Sequence, residues 1–243
     1  MAIQNFDELN SFREMATKWF DVMDIPQSDK DKRVDLSLDY CEIMIMLFLM
    51  ITEQEAERYE LIAYAEERIR IIAEQQIGTE DMAYINDFAK TEAERIVDET
   101  YEKYENEIED QDIEEETEEK TTETETSEET KDTYKFSEFN VEIPKKEYWT
   151  SDFRALLLGI QLSTTVCNFD ELMKAIEAGC TRKVWITEGD ERVRPTHDEV
   201  FGVDIPINEY FTVGDSVLLM PGDTNNGAEL KEILNCRCHL NCY

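Results

Sequence analysis

Over the first hundred residues apolar side chains return every three or four positions, the spacing that places them on one face of a helix. Phe6, Leu9, Phe12, Ala16, Trp19, Phe20 and Met23 form the first series, and Pro26 ends it. The run Cys41 to Ile51 is apolar on all sides and holds no turn residue, which predicts a buried central helix, its methionines serving as packing. Thr52 followed by Glu55 has capping-box spacing and predicts a third helix, with Ala56, Tyr59, Ile62, Ala63, Ile69, Ile72 and Ala73 as its stripe and Gly78 as its end. Thr79 opens a fourth, with Met82, Ile85, Phe88, Ala89, Ile96 and Val97 turned inward. Residues 1–104 are thus expected to form a helical bundle, and a bundle without a chemical site reads as a docking module.

Beyond residue 144 the texture changes. Ser151 and Asp152 can cap a helix through Arg154, Leu156, Leu157, Ile160 and Leu162. A further helix is expected from Asn168 or Asp170 through Leu172, Met173 and Ile176, stopped at Gly179 by a left-handed cap. Short β-prone pieces follow at Lys183–Thr187, Val203–Ile207, Tyr210–Val213 and Val217–Met220, several of them separated by Gly-Asp turns. Helices followed by strands predict a small α+β domain over residues 145–243.

Charge explains what lies between. Residues 105 to 133 hold 15 acidic residues against Lys120 and Lys131, with almost nothing apolar to bury. Residues 105–144 are therefore expected to be an acidic disordered tether, with a coil-like span of roughly 30 Å over its charged 29 residues. The fold class is α+β: an N-terminal α-helical bundle, a tether and a small C-terminal α+β domain. A net charge of -34 excludes strong non-specific nucleic-acid binding and attraction to anionic membranes. The longest apolar run, Ile43 to Ile51, is too short to span a bilayer, and the first ten residues have no secretory-signal pattern. A reducing cytoplasm is the expected compartment, so the six cysteines are read as thiols or metal ligands.

The chemistry-bearing residues cluster late in the chain. Cys236 and Cys238 are two apart, so on an extended segment both thiols face one way and Arg237 the other. Thr196 and Glu199 have capping-box spacing, placing His197 in the first turn of a short helix closed by Gly202, where the dipole favours the neutral ring. His197, Cys236 and Cys238 then make three ligands for a structural zinc ion, with His239, Asp190 or Cys242 as the fourth. The same thiols also read as small core residues. Asp190, Arg192 and Arg194 read either as a site for a phosphate or carboxylate, or as an internal network holding the loop against Asp223. Glu188, Glu191 and Glu199 are the acids available to a metal-dependent hydrolase as general base.

The order Trp185, Thr187, Asp190, Arg192, Arg194, His197, Gly202, then Pro221-Gly222-Asp223, then Asn235-Cys236-Arg237-Cys238 resembles the phage Mu F-like minor head protein family, also called the head morphogenesis family. The resemblance covers roughly residues 150 to 240 and does not reach the N-terminal bundle. The chain departs from it in carrying Ser163-Thr164-Thr165 where relatives often carry Arg-Thr-Glu. It implies a structural, non-enzymatic component of the virion head interior, assembled in the host cytoplasm. Its expected partners are the portal protein, scaffold or major capsid protein. Two other readings follow from the residues alone: a zinc-dependent hydrolase or toxin-like effector using His197 and the cysteines, and an acidic decoy acting through residues 105 to 133.

Overall fold

Each apolar series in the N-terminal half folds as a helix. The computed structural model describes residues 6–54, 56–79, 81–118 and 133–243, with α1 at Phe6–Phe20, α2 at Gln27–Thr52, α3 at Arg58–Ile77 and α4 at Met82–Glu118. Pro26 separates α1 from α2 as the N-cap residue of α2, where its missing N–H costs nothing. Thr52 ends α2 instead of opening α3, and its hydroxyl bonds back to the Leu49 carbonyl at 3.1 Å. The capping box forms five residues later. Glu57 caps the N3 amide and Glu60 accepts from the Glu57 N–H at 2.9 Å, a glutamate doing what serine or threonine usually does. Glu55, the other half of the expected box, lies outside the described residues.

Helix α4 continues to Glu118, into the acidic run; residues 119–132, the rest of the expected disordered tether, lie outside the described residues. Residues 133–144, expected to be linker, instead form an antiparallel hairpin of β1 (Thr133–Phe136) and β2 (Val141–Pro144). Its aromatic residues hold it in place. Phe139 stacks on Trp19 with centroids 5.8 Å apart, and Phe136 packs on Phe153 at 4.8 Å. After the single turn α5 (Lys145–Tyr148), α6 runs unbroken from Asp152 to Glu177, through the Asn168–Asp170 break expected from sequence. Asn168 is buried within it rather than capping a new helix. Gly179, at φ 86°, closes α6 in a Schellman motif, with the Gly179 N–H on the Ile176 carbonyl and the Cys180 N–H on that of Ala175, both at 3.0 Å.

The four N-terminal helices do not have a core of their own. Phe153, Leu156, Leu157, Leu158, Ile160, Leu162 and Val166 of α6 join Met44, Leu47, Phe48, Ile69, Phe88 and Ile96 in one buried cluster. The boundary expected at residue 145 therefore does not divide the cores. Arg33 of α2, fully buried, donates to the Asn168 side-chain oxygen and the Glu171 carboxylate of α6, both at 2.9 Å. The polar face of α6 also reaches the C-terminal third. Thr165 donates to the Gly222 carbonyl at 2.8 Å, and the Asn168 amide to the carbonyls of Pro221 and Cys238 at 2.9 and 3.2 Å. A Cβ on Gly222, at φ 81°, would sit 3.0 Å from the Thr165 hydroxyl, so backbone and space both call for glycine.

The last third contains β3 (Arg182–Ile186), α7 (Pro195–Glu199), β4 (Asp204–Pro206), β5 (Phe211–Val213), β6 (Ser216–Leu218), α8 (Leu230–Ile233) and β7 (His239–Cys242). Strand β3 lies between β4 and β7, antiparallel to both, while β5 and β6 pair as a separate hairpin. Trp185, Phe211, Val213, Leu218 and Ile233 pack with Cys236 and Cys238 into a second core. No described helix is long and apolar enough to cross a membrane.

Candidate metal centre

Two short segments deliver the thiols and the imidazole. Arg194, in extended conformation, precedes Pro195 at the first position of α7, and one turn places His197 almost fully buried, edge-on to Trp185 with ring centroids 5.5 Å apart. The expected Thr196–Glu199 capping box does not form: no side chain caps α7, Glu199 is exposed, and Thr196 donates instead to Glu232 Oε2 at 2.7 Å. Asn235, at φ 53°, turns the chain after α8 so that Cys236 and Cys238 enter the second core, while Arg237 pairs with Asp190 at 2.7 Å. Arg237 nevertheless lines one small cavity together with both thiols, although the Cys-x-Cys spacing predicts that it faces the other way.

His197 Nδ1 lies 3.4 Å from Cys238 Sγ and 3.7 Å from Cys236 Sγ, and all three ligand atoms fall within 4.8 Å of one another. Zinc–sulfur and zinc–nitrogen bonds of about 2.3 and 2.0 Å at tetrahedral angles put sulfur and nitrogen roughly 3.5 Å apart. The donor set thus fits a metal ion in both chemistry and spacing. On the far side of the ring, Nε2 lies 3.3 Å from the buried carboxylate of Glu232, close but without hydrogen-bond alignment. The Cys238 thiol donates to Cys236 and, with help from His197, holds the Cys236 thiol well below its usual range against the effect of burial. Cys238 is correspondingly pushed up, first as that donor and then by burial.

Beside the three side chains is a cavity of about 20 Å³ whose wall includes Glu188, Arg192, Arg194, His197, Cys236 and Cys238. It has room for one water-sized occupant and none for an organic substrate. None of the fourth ligands expected from sequence joins the group: Asp190 is held by Arg237, Cys242 pairs across from Lys183 on β3, and His239 Nδ1 stands 3.4 Å from Glu188. Nor do Asp190, Arg192 and Arg194 form a network with Asp223. Arg192 lies over the Trp19 ring at 5.0 Å and Arg194 donates to the Leu234 carbonyl. Asp223 is fully buried and accepts from the Leu219 and Asn225 amides at 2.9 and 3.2 Å, bracing the turn that follows Pro221-Gly222.

Sequence reasoning missed Glu232, Thr165 and Asn168, which support the site from α8 and α6. A buried polar residue on a helix gives no periodic signal of its own. Ser163, Thr164 and Thr165 are all buried, and Ser163 bonds across to Ser37 of α2 at 2.8 Å. A larger cavity of about 330 Å³ lies between α4, the β1–β2 hairpin and α6. Its charged side chains are spent on one another, Arg95 and Arg154 both reaching Glu99 at 3.4 and 3.3 Å. Compared with family models, curated proteins and solved structures, the chain matches none.

Proposed function

We propose that the chain is a structural assembly protein, a minor head (head morphogenesis) component of a tailed phage, whose C-terminal module is held together by a zinc ion on His197, Cys236 and Cys238. The observation that carries this reading is the inward use of the motif. Trp185, His197, Asp223, Cys236, Arg237 and Cys238 are all buried, Asp190 is spent on Arg237, and the cavity between the thiols and imidazole is too small for a substrate. Residues arranged this way hold a module in shape. The acids proposed as a hydrolase's base fit the same picture, since Glu191 and Glu199 are exposed and Glu188 is shut in the cavity wall.

Zinc suits the donors: two thiolates and an imidazole are its usual structural ligands, and tying Cys236 and Cys238 to α7 closes the second core around Trp185. On this reading the partner is the portal, scaffold or major capsid protein. It meets the acidic helical half, and the place of action is the interior of the virion head, after assembly in the host cytoplasm. Mass spectrometry of purified virions and empty procapsids tests the assignment. A few copies per particle support it; absence from both, with the protein free in the infected cell, would sink it.

A further inference from the structure

Resting on the reading of His197, Cys236 and Cys238 as a metal centre, we infer that Glu188 supplies the fourth donor to the ion. Three protein ligands leave a tetrahedral structural site one short. Glu188 lines the cavity beside those three, and only 5% of its side chain is exposed. Its two oxygens are treated differently. Oε2 accepts the Asp24 N–H at 3.2 Å, whereas Oε1 is buried and has no hydrogen-bond partner among the described residues. That oxygen faces the His239 ring nitrogen at 3.4 Å without hydrogen-bond alignment, so its burial is costly unless a charge offsets it, and an ion in the cavity would do so.

The competing donors are placed elsewhere. Asp190 accepts from Arg237 and from the Arg192 N–H at 3.0 Å, and Cys242 lies opposite Lys183 on the sheet. His239 does not line the cavity; its Nδ1, 3.4 Å from Glu188 Oε1 but without hydrogen-bond alignment, makes it a positioning neighbour of the carboxylate. Glu188 is outside the group whose ligand atoms lie within 4.8 Å of one another, so binding draws the carboxylate in across the cavity. Arg192 and Arg194 in the same wall offset the surplus negative charge of two thiolates and a carboxylate. Because Oε2 is held by Asp24, between α1 and α2, the fourth ligand also ties the centre to the helical half.

The test uses the full chain and zinc in competition with a chromophoric chelator. The unmodified protein binds one zinc. Glu188→Ala and Glu188→Gln weaken it by more than about 100-fold, beyond the 10–100-fold typical of an outer partner, while His239→Gln costs about tenfold or less. Apo proteins compared by circular dichroism and melting in chelator separate lost ligation from lost folding. X-ray absorption of the unmodified zinc protein gives a readout that needs no variant: two sulfurs, two lighter donors and the scattering of one imidazole. Both Glu188 variants within threefold of the parent, or two imidazoles on the ion, overturn Glu188 as ligand and leave the three-ligand centre standing. A parent that takes up no zinc removes the reading beneath it.

Discussion

A Cβ built on Gly159 of α6 would stand 2.2 Å from the Ser37 carbonyl oxygen of α2 and 3.1 Å from the Cys41 amide nitrogen. The two backbones touch there, and the Ser37 and Ser163 hydroxyls bond across the same contact. Gly159→Ala must push the helices apart along the buried α2–α6 seam. The expected loss is about 3 kcal/mol or more, seen as a lower urea midpoint with an unchanged slope. A variant as stable as the parent would mean that the helices do not cross at this point.

Cleavage between residues 119 and 132, where the sequence offers nothing apolar to bury, should leave two fragments that stay together. The reason is that α6, from the second fragment, completes the core of α1–α4. Size exclusion after limited proteolysis should show co-elution under native conditions and separation in urea. For the same reason residues 1–104 alone should expose the α2 face that α6 covers and aggregate, whereas adding residues 145–178 in trans restores solubility.

Cys236→Ser and Cys238→Ser should each abolish stoichiometric zinc and bring the melting temperature of the protein down to that of the parent in chelator. With free zinc at 100 to 1,000 times the dissociation constant, the metal contributes about 3 to 4 kcal/mol. Since thiolates and a neutral imidazole are the binding forms, the zinc-dependent part of the stability should fall as the pH drops. Equal melting curves with and without chelator would mark the two thiols as core side chains only.

Burial pushes the Lys183 ammonium down to about 8 from 10.5, against the opposite pull of Cys242 and Asp223, and it donates a hydrogen bond to the Leu219 carbonyl at 2.6 Å. The folded pKa lies below the unfolded one, so between pH 8 and 10.5 the unfolded chain binds more protons and stability rises with pH. Below pH 8 both states are charged and the full cost of burial is present. Denaturant titrations should show the parent gaining about 3 kcal/mol relative to Lys183→Met across that window. A constant difference between the two proteins would place Lys183 in contact with water.

The helices of the first half were legible because a stripe such as Ile85, Phe88, Ala89, Ile96 and Val97 has only one way to be buried. The convergence of Cys236 and Cys238 was legible from period-two geometry. Three things were not. Helix α6 looked broken at Asn168 because Asn and Asp favour caps, but Asn168 spends its side chain on Arg33 and two loop carbonyls. The β1–β2 hairpin was hidden by the acidic composition next to it, although its anchors, Phe136 and Phe139, meet partners in α6 and α1. Glu188 is one glutamate among many acids, and only its burial beside the thiols singles it out.

Ser37 and Ser163 meet across 126 positions of chain, and the α2–α6 seam they belong to is the centre of the larger core. Such a seam gives the molecule a high contact order for a largely helical protein, so it should fold more slowly than a bundle whose neighbouring helices are also consecutive. Loop-closure entropy grows only with the logarithm of length, about 0.6 kcal/mol per doubling. Lengthening or shortening the acidic stretch that joins the two halves of the seam is therefore nearly free at equilibrium, and its length is open to be set by reach.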